Sequence, residues 1–256
     1  MLSEKKELFD LLIEEGHRPF SGWDFSYISA SGRMQSEPLP WNYTSLILPY
    51  VRSVSTLLDM GTGGGELLSL LQPLPKHTCA TEAYDPNIEV AKKRLEPLSV
   101  HVFKVEDDMS LPFREDKFEL IINRHESYYP PEVLRLLEPS GHFITQQVGE
   151  QNDFDINRLL GNNQRKEEAP WNAAFAAKEL QAQGFRITDQ REAFPMARFY
   201  DVGAIVYFLK AIPWVVEDFT VEKYIDVLLD IHNQIQTQGY IEIREHRFLI
   251  VAQNED

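Results

Sequence analysis

Asp59, Gly61, Gly63 and Gly65 occupy alternate positions in Leu57-Leu58-Asp59-Met60-Gly61-Thr62-Gly63-Gly64-Gly65-Glu66. Glycine is needed where a backbone takes positive φ or passes a ligand with no Cβ in the way. An apolar strand that feeds a helix through such a turn sets backbone N–H groups beside whatever binds at the strand's carboxyl end. Glu82 closes the next β-rich run, His77-Thr78-Cys79-Ala80-Thr81-Glu82, about 20 residues beyond the glycines. A carboxylate there can accept hydrogen bonds from both hydroxyls of a ribose. A dinucleotide fingerprint fails, because Glu66 stands where its third glycine belongs, and no Gly-x4-Gly-Lys-Ser/Thr phosphate loop occurs. Two further polar clusters follow: Asp107-Asp108-Met109, inside the acidic loop Glu106 to Phe113, and Asn123-Arg124-His125-Glu126, at the end of an apolar run. His125 suits a general base, because its ordinary pKa lies near neutrality, and equally suits a hydrogen-bonded structural histidine. Arg124 and Arg33 each suit an anion. The seven histidines are scattered and Cys79 is the single cysteine, so neither a metal site nor an internal disulfide is expected.

The elements that must carry these residues are legible from apolar runs and their punctuation. Residues 55–60, 77–82, 100–105, 118–123 and 142–148 read as strands. Between them, a helix opens after the glycines and stops at Pro73. A second starts at Asp85-Pro86 with Ile88, Ala91 and Leu95 at helical spacing, and a third runs from Pro130-Pro131 to Pro139-Ser140-Gly141. Alternating strands and helices signal βαβ units and a parallel sheet.

In order, the glycine turn, the Glu82 acid, the Asp108-Met109-Ser110-Leu111-Pro112-Phe113 loop and the Phe118-to-His125 strand resemble the signature of class I S-adenosylmethionine (SAM)-dependent methyltransferases over residues 55–150. The resemblance implies a doubly wound, seven-stranded, mostly parallel α/β sheet whose last two strands form an antiparallel edge pair. It implies SAM as cofactor and S-adenosylhomocysteine as product. Asp59 then reaches the amino group of the methionine moiety, often through water, while Gly61, Thr62 and Gly63 lie against the methionine and ribose parts. Glu82 holds the ribose, and Ala83, with Tyr84 beside it, packs on the adenine. Asp107 or Asp108 reads the adenine edge, Met109 packs on the ring, and Asn123 and Arg124 complete the cofactor site. No Asn-Pro-Pro-Tyr/Phe follows the fourth strand, a departure that counts against methylation of adenine or glutamine nitrogen.

Outside that stretch the chain is less patterned. Residues 4–15 read as a helix. From Arg18 to Trp41, Phe20, Trp23, Phe25, Tyr27 and Trp41 sit among glycine, serine and proline, which reads as an aromatic lid or as plain cover for the sheet. The expected division is 1–54 as helix and lid and 55–256 as the cofactor-binding domain, with 150–170 and 197–239 as insertions on the substrate side. Residues 200–214, apolar nearly all round and ending in Trp214, read as a buried or cleft-covering helix. Thr220 caps an amphipathic helix, and 240–243 and 247–251 are strand-like. Tyr27, Arg33, Trp23, Trp41 and Trp214 are the candidate substrate-side residues. Their aromatic character favours a small, partly apolar acceptor for transfer to O, N or S. A net charge of -15 disfavours nucleic acid, although an RNA methyltransferase or a non-catalytic binder of SAM or its product would share the glycine motif. No apolar run approaches the roughly 18 residues of a membrane span, and a cytoplasmic protein is expected.

Overall fold

Each of the five apolar runs between 55 and 148 forms a strand, and all five run parallel. They are β1 (Thr56–Met60), β2 (His77–Glu82), β3 (His101–Lys104), β4 (Phe118–Arg124) and β5 (Leu137–Val148). The computed structural model describes residues 2–20, 24–161 and 170–255. With β6 (Phe185–Ala193) and β7 (Arg247–Asn254) the sheet has the order β3-β2-β1-β4-β5-β7-β6, and β7 runs antiparallel to both of its neighbours. This is the expected doubly wound, mostly parallel fold with an antiparallel pair at one edge. Successive strand residues alternate between two cores, as the pleat requires. Leu58, Ile121, Phe143 and Ile250 face one core with the helix Ala173–Gln181, whereas Leu57, Leu120, Ile144 and Leu249 face the other with the helices Tyr43–Val51 and Asp85–Leu95. β5 begins five residues earlier than its apolar run suggests. The segment after the Pro130–Leu136 helix pairs at once, Leu137 opposite Phe118, and the register shifts before His142 meets Leu120.

The chain divides into two compact units. The sheet unit comprises Leu39–Glu150, Pro170–Ala193 and Arg247–Asp256. Residues 39–54, grouped above with the lid, pack here: Trp41, Tyr43, Ile47 and Val51 share a core with Leu57. The second unit comprises Met1–Pro38, Gln151–Ala169 and Phe194–His246. It contains the helices Leu2–Gly16, Val202–Ala211 and Val221–Gln238 around a core that includes Leu12, Phe199, Ile205 and Leu228. Thr220 caps the last of these, accepting from Lys223 N at 3.2 Å.

A three-stranded antiparallel sheet also belongs to this second unit. Met196–Phe199 lies between Met34–Ser36 and Ile241–Arg244. The aromatic stretch therefore holds a strand where no strand period was visible, and the run at 240–243 pairs in this small sheet. Both strands are four residues or shorter, too brief for alternation to register. The apolar run from 200 behaves as expected over Val202–Leu209, all buried, but the helix ends at Ala211 and leaves Trp214 63% exposed.

Candidate functional site

The glycine turn joins β1 to the short helix Glu66–Leu70. Gly61, Gly63 and Gly65 all take positive φ, at 66°, 62° and 79°. Their surroundings differ. A Cβ on Gly65 would meet Leu95 at 2.7 Å, so this glycine lets two helices pack closely. A Cβ on Gly61 would stand 2.4 Å from Cγ of Glu126. A Cβ on Gly63 would meet nothing within 4 Å beyond its chain neighbours, so the turn is open on that side. The turn is tied to β2 by Thr62 N donating to Thr81 O at 2.9 Å.

Asp59, next to last in β1, and Glu82, last in the adjacent β2, are each only 4% exposed. Asp59 Oδ2 accepts from the Thr62 hydroxyl at 2.7 Å, and Glu82 Oε1 accepts from Tyr84 N at 2.8 Å. Neither carboxylate has an ion pair among the described residues, so each keeps an oxygen with no protein donor. Burial pushes the Asp59 carboxyl up to about 7, with the Glu82 charge adding to it and the Thr62 hydroxyl and Arg124 opposing it. Buried acids held this way mark functional sites more often than chance. Ala83 and Tyr84 follow Glu82 on the surface, Tyr84 62% exposed.

The acidic loop is braced locally. Asp107 Oδ1 accepts from Met109 N at 2.8 Å, and Met109 is 63% exposed. Leu111 N donates to Glu132 Oε1 at 2.7 Å, and Glu132 pairs with Arg135, whose guanidinium also holds Phe113 O at 3.0 Å. Asp108 instead accepts from the Ser127 hydroxyl, which ties this loop to the one after β4. Burial raises the Asp108 carboxyl, Asp107 adding to the effect and the Ser127 hydroxyl opposing it.

At the end of β4 the structure separates residues that the sequence placed together. Asn123 is fully buried, and its amide is spent inside the protein: Oδ1 accepts from Gln147 Nε2 at 2.7 Å and Thr145 Oγ1 at 3.0 Å, while Nδ2 donates to Ser127 O at 3.3 Å. It braces the 125–127 loop, and its side-chain amide is engaged by protein partners. Its carbonyl accepts from the buried Tyr43 hydroxyl at 3.1 Å. Arg124 is exposed and has no ion pair among the described residues. His125 takes a left-handed φ of 64°. Its ring meets Gln146 Nε2 at 3.0 Å. Although the residue is exposed, lost hydration around the ring and the charges of Arg124 and Arg247 push its pKa down. Glu126, to which no role was assigned, lies against Gly61, with its carboxyl raised by burial and then by Asp108 and Glu82. The conspicuous glycine hid it, because the two are 65 residues apart and no periodicity links them.

The candidate substrate-side residues fall in both units. Trp41 is buried in the sheet unit, donating its indole N–H to Gln146 Oε1 at 2.8 Å. Tyr27 and Arg33 belong to the second unit. Tyr27 donates to Glu15 at 3.0 Å and packs on Tyr207, and Arg33 forms a forked pair with Asp201 at 2.7 and 2.8 Å and a further one with Glu15. Trp214 is also in the second unit, and Trp23 lies outside the described residues. A concavity in the second unit, walled by Asp155, Arg158, Gln234, Gln238 and Glu242, contains none of the expected site residues. No group of ligating side chains suited to a metal occurs among the described residues.

A protein-family model described as a methyltransferase domain matches residues 42–190, more than half of the chain. Solved structures share the fold at low identity. A candidate methyltransferase from Bacillus halodurans is 16% identical, with a TM-score of 0.57 over 82% of this chain and 99% of that one. The YcgJ protein of Bacillus subtilis is 17% identical, with a TM-score of 0.56 over 83% and 98%. A geranyl diphosphate methyltransferase in complex with GPP and sinefungin is 13% identical, with a TM-score of 0.50 over 82% of this chain and 77% of that one. No curated protein matches the sequence.

Proposed function

The chain belongs to the methyltransferase domain family, and from that premise we propose that it transfers the methyl group of SAM to an O, N or S atom of a small, partly apolar metabolite. The observation that carries this reading is the pair Asp59 and Glu82. Two carboxylates, each nine-tenths buried and without a cationic partner, flank a glycine turn that is open at Gly63. Burying such charges is costly unless a ligand compensates them. A donor with an ammonium group and a ribose diol does so, because Asp59 faces the cation and Glu82 accepts from the hydroxyls. Ala83, Tyr84, Asp107, Asp108 and Met109 are the residues proposed to enclose the adenine, and Arg124 the one to take the carboxylate.

When bound, SAM supplies an already activated methyl group. The protein's part is therefore to hold the acceptor atom in line and exclude water, and positioning supplies much of the rate. The net charge of -15 favours a small acceptor over a polyanion. Calorimetric titration of SAM into the wild-type protein and Glu82→Ala tests the reading. Binding should weaken at least tenfold, about 1.4 kcal/mol, in the variant. A wild type confirmed free of cofactor that takes up no SAM would sink the proposal.

A further inference from the structure

We propose that Trp41 and Gln146 are positioning residues that hold His125 as a neutral imidazole with its proton on Nδ1. The ring then offers the methyl acceptor a hydrogen-bond donor and takes no proton from it. That role rests on the methyl-transfer reading; the state of the ring does not.

An indole N–H can only donate, so the 2.8 Å contact of Trp41 Nε1 fixes the oxygen of the Gln146 amide toward Trp41. The amide NH2 must then face His125 Nε2, 3.0 Å away. That NH2 has no lone pair to give, so Nε2 has to accept. A neutral imidazole accepting at Nε2 carries its hydrogen on Nδ1, whereas an imidazolium would set two donors against each other. Trp41 and Gln146 are 8% and 2% exposed, so water cannot readily replace either partner. Gln146 also grips the main chain: its carbonyl accepts from His125 N at 2.8 Å. This holds a non-glycine residue at φ 64°, a sparsely populated conformation that such a contact helps to fix.

The charges near the ring point the same way. Arg124 precedes it on β4 and is paired in register with Gln146, and Arg247 opens β7 opposite Val148. Both guanidiniums oppose a further positive charge on the imidazole. Nδ1 has no protein partner among the described residues, so its N–H is available at the carboxyl end of β4 beside Arg124. The geometry thus removes His125 as the proton acceptor that its neighbourhood in the sequence suggested.

A long-range 1H–15N correlation spectrum of the full-length, 15N-histidine-labelled protein reads the tautomer directly. His125→Asn assigns the resonance, because Asn tolerates the left-handed backbone. The expected wild-type result is protonated Nδ1 and unprotonated Nε2, unchanged from about pH 8 to about pH 5. Gln146→Glu replaces the donor with an acceptor, and should move the proton to Nε2 and bring His125 into titration above its ordinary pKa of about 6.5. Trp41→Phe frees the amide to turn and should produce a mixture of tautomers. A wild-type His125 that titrates near neutrality, or carries its proton on Nε2, overturns the proposal even if both variants misfold. An unchanged single tautomer in folded Trp41→Phe overturns the part given to Trp41. SAM calorimetry on the same sample separates the two readings. Binding together with a titrating His125 keeps the cofactor and discards this inference. No binding with a locked His125 keeps the lock and discards its role in transfer.

Discussion

Asp59 illustrates how a single buried acid couples the fold to its ligand. Its folded pKa of about 7 stands above the ordinary 3.8, so the native state keeps a proton that the unfolded chain gives up. The stability this contributes is fully present below about pH 4 and is lost as the pH rises through 7. Asp59→Asn should therefore raise the unfolding midpoint at pH 8, by about 2–4 °C for each kcal/mol relieved, and gain nothing at pH 4. Ligand linkage has the opposite slope. A bound ammonium favours the carboxylate, so SAM affinity should increase with pH between about 5 and 7 and release on the order of one proton per SAM at pH 6. Titration in buffers of different ionisation enthalpy counts that proton, and a release of zero would separate Asp59 from the cation. Asp59 and Glu82 were legible because their positions are set locally, by the ends of two apolar runs. Glu126, Gln146 and Tyr43 were not: Trp41 and Gln146 are 105 residues apart, and a hydrogen bond across that distance leaves no mark on either segment.

Among elements, the glycine turn carries the sharpest contrast. Gly61→Ala and Gly63→Ala pay the same left-handed backbone penalty of about 1–2 kcal/mol. Only at Gly61 does the new methyl collide, with Glu126, so thermal denaturation should show Gly61→Ala to be the less stable. Adding Glu126→Ala should recover the excess. Gly63→Ala should cost little beyond the backbone penalty and yet weaken SAM binding at least tenfold, because its methyl enters the open side of the turn. Equal losses of stability, with SAM binding intact in Gly63→Ala, would remove the ligand from that side. The parallel sheet itself was legible because buried strands read as continuous apolar runs. The small antiparallel sheet was not, since its strands of three and four residues are shorter than any period that could announce them.

Over the whole molecule, every residue assigned to the cofactor falls in the sheet unit, and Tyr27 and Arg33 make their contacts with Glu15, Asp201 and Tyr207 within the second unit. Arg33→Ala should therefore lower stability by about 1–3 kcal/mol through the loss of its pairs with Asp201 and Glu15. SAM affinity should stay within about twofold. Denaturant titration and calorimetry on one preparation read both, and a large loss of SAM binding would assign Arg33 to the site. The late position of β7 in the chain has a further consequence, for the order of synthesis. β7 pairs with β5 on one side and β6 on the other, and it begins only at Arg247. A chain leaving the ribosome at about 5–20 residues per second has made β5 and β6 well before the strand that joins them. Until then the nascent sheet presents β5 with an open edge and an unfilled place for Phe248 and Ile250, the condition in which strands find wrong partners. β5 and β6 thus wait for β7 while the segment between them and Arg247 is made.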